Sequence, residues 1–170
     1  MAKSKPESKP KNKQSQGTPA TVALTKAKVE FTAHTYDHDP GAKSYGLEAA
    51  EALGLAPEQV FKTLLVEVDG KLTVGVVPVD KQLDLKAIAA AAGGKKAVMA
   101  DPAAAERTTG YVVGGISPIG QKRALPTVVD ATATGHDTVY VSGGRRGLDL
   151  GLAPADLITI TKARTAPIAR

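Results

Sequence analysis

Thr108-Thr109-Gly110-Tyr111-Val112-Val113-Gly114-Gly115-Ile116-Ser117-Pro118-Ile119-Gly120-Gln121-Lys122 is the stretch from which the rest of the chain is read. Small and branched residues run into a Gly-Gly pair, and Pro118 cannot donate a ladder hydrogen bond. The pattern predicts an apolar strand that breaks into a tight, backbone-exposed loop ending in a cation. Glycines let a ligand approach the main chain, and freed N–H groups can hold an oxyanion or a phosphate. A structural turn or bulge is the alternative. Neither the Walker nor the dinucleotide-binding glycine spacing is present.

Working outward, the loop sits in a chain of 170 residues, enough for one domain with a real core. Trp is absent and aromatics make up only 4% of residues, so Val, Leu, Ile and Ala must fill that core. The chain has no cysteine, which excludes disulfides, thiolate metal sites and a protein cysteine nucleophile. No apolar run is long enough for a membrane span, and no apolar signal region opens the chain, so the expectation is a cytoplasmic protein. Charge is uneven. Lys3, Lys5, Lys9, Lys11 and Lys13 oppose Glu7 within residues 1–17, a net +4 of the whole chain's +5. That basic tail, rich in Lys, Ser, Pro and Gln, is expected to be disordered. Residues 18–170 are nearly balanced, so the high isoelectric point alone says little about nucleic acid.

Local signals mark the elements. Thr18-Pro19 caps a short helix through about Lys26, and residues 29–36 read as a strand. Residues 46–53 carry Leu47, Ala50 and Leu53 on one helical stripe, with Gly54 as terminator. Residues 61–68 and 72–79 form strands joined by the Asp69-Gly70 turn of a hairpin. Residues 84–92 make a second amphipathic helix, Lys95-Lys96 leads into a short strand through Met99, and Asp101-Pro102 caps a helix ending near Arg107. Beyond the opening stretch come strands at 127–131 and 138–141. A second glycine-rich loop follows, Ser142-Gly143-Gly144-Arg145-Arg146-Gly147-Leu148-Asp149, and residues 154–162 close as a helix with strand-like alternation at 158–161. Six or seven strands with short helices predict an α+β, mixed α/β domain around one compact sheet.

Two features invite chemistry. His34-Thr35-Tyr36-Asp37-His38-Asp39-Pro40 has metal-like residue types. Strand spacing would separate the two histidines, however, and no third and fourth ligands accompany them, so no metal is expected. The segment can equally line a pocket with Tyr36. Lys62 stands near the start of an apolar strand, where it either snorkels to water or points its ammonium into a cleft.

Several blocks together resemble the YbaK/EbsC family: Phe61-Lys62-Thr63-Leu64, Ala100-Asp101-Pro102, residues 109–122, residues 140–149 and the His34 to Pro40 segment. They are most similar to its bacterial YbaK branch, the cysteinyl-tRNA(Pro) deacylases. The resemblance covers about residues 18–170 and leaves out the basic tail. It implies a mixed sheet curled into a barrel-like core, as in the editing domain of prolyl-tRNA synthetases. It also implies an enzyme, without a cofactor, that removes cysteine wrongly joined to proline tRNA, an error that arises because the two amino acids are close in size, with Cys-tRNA(Cys) as a further substrate left open.

The same resemblance implies the site. Lys62 would orient the aminoacyl ester, Thr63 would support it, and Gly114 and Gly115 would present backbone donors. Tyr36 and Tyr45 would form aromatic walls, with Ser142 and Asp149 in the pocket and Ser117 in the loop. Tyr45 departs from the family's usual phenylalanine and adds a hydroxyl. Phosphate candidates are Lys95, Lys96, Lys122, Arg123, Arg145 and Arg146. The partners would be tRNA and prolyl-tRNA synthetase, in a ternary complex. The chain lacks an evident nucleophile of its own, so the implied mechanism uses the substrate's thiol against its own ester. An editing deacylase for another small amino acid such as alanine, or a non-catalytic module that binds tRNA or synthetase, stays open as an alternative.

Overall fold

The structure is a computed structural model that describes residues 17–41 and 44–170; the expected basic tail lies, through residue 16, outside the described residues. Helix α1 (Pro19–Lys26) begins as its sequence predicts: Thr18 accepts from the Thr21 N–H, and the Thr21 side chain returns the bond to the Thr18 backbone. Then follow β1 (Thr32–Thr35), α2 (Tyr45–Leu53), a 3₁₀ turn (Pro57–Gln59), β2 (Phe61–Val68) and β3 (Lys71–Pro78). Next come α3 (Leu85–Ala91), β4 (Ala97–Met99), α4 (Pro102–Thr109) and β5 (Thr127–Asp130). The chain ends with β6 (Val139–Arg145), β7 (Leu148–Leu152), α5 (Pro154–Thr161) and β8 (Arg164–Ala166).

The strands form two sheets rather than one. A five-stranded sheet runs β4-β2-β3-β5-β8, and a three-stranded sheet runs β1-β7-β6. In the larger sheet β4-β2-β3 are antiparallel and β3-β5-β8 parallel. A single bridge between Val60 and Tyr140 joins the two sheets, so they do not close into the expected barrel. One bridge cannot replace the continuous ladder that closure requires.

Packing follows from that arrangement. Phe61, Leu65, Val74, Val76 and Val129 of the larger sheet bury against Ala33, Val141, Leu148 and Leu150 of the smaller one. On its opposite face Val66, Val68, Val77 and Val128 pack on Ile88 of α3 and on Ile168. A sheet covered on both faces explains why β3 is apolar almost continuously rather than in alternation.

Three expectations change. The Thr108-Thr109 pair is the last turn of α4, not the start of a strand. Thr109 Oγ1 donates to the Ala105 carbonyl at 2.8 Å, and Gly110 caps the helix in the left-handed region. The segment after it is held by the buried Tyr111, whose hydroxyl donates to the Ile119 carbonyl at 2.7 Å. The second glycine-rich stretch is a hairpin, β6-β7, with a register shift between Ser142 and Arg145. Leu47 is 43% exposed; α2 instead buries Ala49 and Ala50.

The last change has a local cause. A Cβ on Gly46 would stand 2.3 Å from Val79 Cγ1 and 4.0 Å from Lys62 Cβ, so this face of α2 lies directly on the strands. Only a residue without a side chain permits that approach. Gly46→Ala should therefore lower stability by about 1–3 kcal/mol, as overpacking does, measured as a lower urea midpoint at unchanged slope.

Candidate active site

Strand β2 supplies the floor of a cavity of about 370 Å³. Lys62 and Thr63 lie near its start, where register with β3 sets Lys62 opposite Val77 and Thr63 opposite Val76. One wall comes from α2, whose N-cap Ser44 accepts from the Leu47 N–H at 3.3 Å and also lines the cavity with Tyr45 and Gly46. Another comes from the smaller sheet. There Asp149 of β7 stands opposite His34 on one side and Ser142 on the other, and Tyr36 follows β1 with its N–H on the Gly147 carbonyl at 3.0 Å. Met99, Ala100 and Pro102 close the end of β4, and Val113, Gly114 and Ile116 form the remaining side.

Seven residues implied by the resemblance thus share one cavity: Tyr36, Tyr45, Lys62, Thr63, Gly114, Ser142 and Asp149. Gly115 and Ser117 do not line it. The Gly115 N–H donates to the Val112 carbonyl at 2.9 Å, and its α-carbon packs against the Arg145 backbone. Ser117 is fully buried, with its Oγ accepting from the Ile119 N–H at 3.2 Å. Both serve the loop's own structure.

The basic candidates separate as well. Lys95 and Lys96 lie at the far end of β2, their N–H groups on the Asp69 carboxylate and Ala97 opposite Val68. From Lys62 to Val68 a strand runs about 20 Å. Lys122 and Arg123 are exposed on the segment that continues from the glycine turn. Arg146 holds the Val113 carbonyl and lies over the Tyr45 ring, 5.0 Å from its centroid. Arg145 shares a backbone contact with Gly115.

The histidines are engaged elsewhere. His38 Nδ1 hydrogen-bonds Glu48 Oε1 at 2.9 Å, and His34 Nε2 lies 2.7 Å from Thr32 Oγ1. Among the described residues no group of three His, Asp or Glu side chains could hold a metal ion. No helix among them is long and apolar enough to cross a membrane.

Ionisable groups line the cavity, and burial shifts them. Burial lowers the Lys62 pKa from the ordinary lysine value, against an opposing pull from the Asp80 carboxylate. Burial raises Asp149 to about 7. Burial first, and then the neighbouring Asp149 charge, push Tyr36 up to about 12, so its phenol stays a donor. Thr63 Oγ1 is buried without a hydrogen-bond partner among the described residues. Such a group costs on the order of 1–3 kcal/mol unless something fills its valence. The sequence named Thr63 and Asp149 through resemblance, but not Ser44, Met99 or Ile116; the Ser44 capping position was the one local signal available.

Asp149 makes a sign-definite prediction. Its folded pKa lies above the unfolded value near 3.8, so the folded state binds the extra proton. The free protein should therefore lose stability as pH rises from about 4 through about 7 on this account, and level off above. Asp149→Asn should remove that part of the slope, read as thermal midpoints of the two proteins across pH 4–8.

Residues 39–160 match the family described as the aminoacyl-tRNA editing domain. The chain is 36% identical over 160 residues to an Enterococcus faecalis protein named "Putative Cys-tRNA(Pro)/Cys-tRNA(Cys) deacylase EbsC", covering 93% of this chain and 96% of that one. It is 29% identical over 117 residues to a Moorella thermoacetica proline–tRNA ligase, spanning 62% of this chain and 20% of the ligase. A solved structure described as "a putative trans-editing enzyme for prolyl tRNA synthetase" superposes with a TM-score of 0.75 at 24% identity, over 95% of this chain and 98% of that one. The match to the family spans most of the chain, and the chain belongs to the aminoacyl-tRNA editing domain family.

Proposed function

We propose that the protein is a trans-editing deacylase that releases cysteine from mischarged proline tRNA. The observation that carries this reading is the convergence of Lys62, Thr63, Gly114 and Asp149, from three separate segments, on one small cavity with apolar walls. The Enterococcus relative's name points to the same substrate.

Each group has a role suited to its place. The Asp149 carboxylate complements the α-ammonium of an aminoacyl ester, a charge that would favour its ionised form once the substrate is bound. The Lys62 ammonium and the unpartnered Thr63 hydroxyl are donors for the ester and the adjoining ribose. The Gly114 N–H faces the oxygen that becomes negative. No protein nucleophile is needed. A free cysteine thiol has a pKa of about 8.5, so a few per cent is thiolate near neutrality. That sulfur attacks its own carbonyl, a C–S bond forms, the ester C–O bond breaks, and the tRNA leaves as its hydroxyl after taking up a proton. Alignment of sulfur and carbonyl can supply about 7–11 kcal/mol of the barrier reduction.

The acceptor stem lies along exposed Lys122 and Arg123, beside the glycine turn, in this reading. Lys95 and Lys96 are too far along β2 to share the same terminal phosphates. Prolyl-tRNA synthetase would supply the tRNA selectivity, in a ternary complex, within the cytoplasm.

The decisive experiment compares tRNA(Pro) charged with cysteine, serine and alanine. The cysteine ester should be cleared fastest by a wide margin, because a hydroxyl is a far poorer nucleophile and alanine has none. Serine release at a comparable rate would overturn the thiol mechanism, and preferential alanine release would make the protein an alanine editor using water. Lys62→Ala should lower the rate for the cysteine ester by about 10²-fold or more, the scale of losing one oriented donor; an unchanged rate in the folded variant would remove Lys62 from the chemistry.

A further inference from the structure

The turn that carries Gly114 is gripped at both ends of its preceding residue. Residues 112–115 form a turn closed by the Gly115 N–H on the Val112 carbonyl at 2.9 Å. Gly114 has φ +91°, the conformation that the third residue of a type II turn demands. Types I and II differ by a flip of the central peptide, here the one joining Val113 to Gly114. In a trans peptide the C=O and N–H point in opposite directions, so the side to which the Val113 carbonyl turns decides where the Gly114 N–H is aimed.

That carbonyl accepts from Arg146 Nε at 3.0 Å and from Arg146 Nη2 as well. The Val113 N–H donates to Glu106 Oε2 at 2.9 Å, from the last turns of α4. Arg146 is steadied in turn by the face of Tyr45. Neither Arg146 nor Glu106 lines the cavity, whereas Val113, Gly114 and Tyr45 do. A Cβ on Gly114 would meet Arg146 Nε at 2.7 Å and Tyr45 Cε2 at 3.0 Å, so the clamp closes directly on this residue.

We propose that Arg146 and Glu106 are positioning residues that lock the Val113–Gly114 peptide in one of its two flip states and so aim the Gly114 N–H at the ester carbonyl oxygen. The proposal rests on the deacylase reading for its catalytic consequence. It reassigns Arg146 from phosphate contact to loop clamp, and the two roles give different kinetics.

The test uses the full-length protein, cysteinyl-tRNA(Pro) and the variants Arg146→Ala, Arg146→Lys, Glu106→Ala and Glu106→Gln. Arg146→Ala and Glu106→Ala should lower kcat by about tenfold to a hundredfold, below the loss of a whole oxyanion donor. KM and its salt dependence should stay near wild type. Glu106→Gln, which keeps an acceptor oxygen, should recover most of kcat. Arg146→Lys, which keeps one donor, should recover part, and guanidinium ion added to Arg146→Ala should also restore part. Unchanged kcat with raised KM and a flatter salt dependence in Arg146→Ala would make Arg146 a phosphate contact and overturn the proposal.

A second readout needs no activity. In ¹⁵N-glycine-labelled protein the Gly114 amide resonance should shift or split in both alanine variants and hold its place in Glu106→Gln. An unmoved Gly114 resonance in Arg146→Ala would overturn the clamp whatever the rates. A wild type inert on every ester, with the resonance moving as expected, would instead defeat the deacylase reading and leave the clamp standing.

Discussion

Strand β2 is confined on every side. Strands β3 and β4 pair with its edges, the smaller sheet covers one face, and α3 covers the other. A strand buried on both faces cannot slip by one residue without turning its whole set of side chains the wrong way. Its register is therefore rigid, and Lys62 and Thr63 inherit that rigidity. The cavity lies at the end of β2 nearest the Val60–Tyr140 bridge, lined there by residues 60–65 and by Tyr45, Gly46 and Ala49 of α2.

Polar groups inside such an opening are expensive to maintain, and the structure leaves several of them poorly satisfied. A carboxyl whose pKa burial raises, a lysine whose charge burial disfavours and an unpartnered hydroxyl all belong to residues that line one cavity. A chain selected for stability alone would fill the space or pair the groups with one another. A ligand of mixed polarity would complete such groups, as the proposed aminoacyl ester would with its cation, carbonyl and ribose. The glycine turn differs: its Val113 backbone is bonded by Glu106 and Arg146, side chains that do not line the cavity.

Much of the local structure was legible because short-range chemistry determines it. Thr18-Pro19, Asp84 and Asp101-Pro102 cap helices through side-chain oxygens that reach N–H groups three residues away. Asp69-Gly70 turns β2 into β3 with both residues at positive φ. The misreadings arose where a neighbouring cap or a tertiary pairing overrides the preference of single residues. Thr108 and Thr109 favour strands, yet the Asp101 cap and the Thr109 bond to Ala105 carry the helix through them. Residues 142–149 look like a glycine loop, yet pairing of β6 with β7, and of β7 with β1, makes most of them strand.

The chain by itself determined which residues could do chemistry and which could not. The absence of cysteine, the lysine in an apolar strand and the glycine pair before a proline are matters of covalent composition and local conformation. The tertiary structure decided which of them meet. Ser142 and Asp149 meet Lys62 only because β6 and β7 stack across β2, and Lys95 and Lys96 stand apart because β4 runs antiparallel to β2, carrying them to its other end. Arg146 reaches the Val113 carbonyl, 33 residues earlier in the chain, because the hairpin turn folds back onto that segment. Local sequence cannot encode a meeting of that kind, since its energy comes from surfaces brought together only when the two sheets pack.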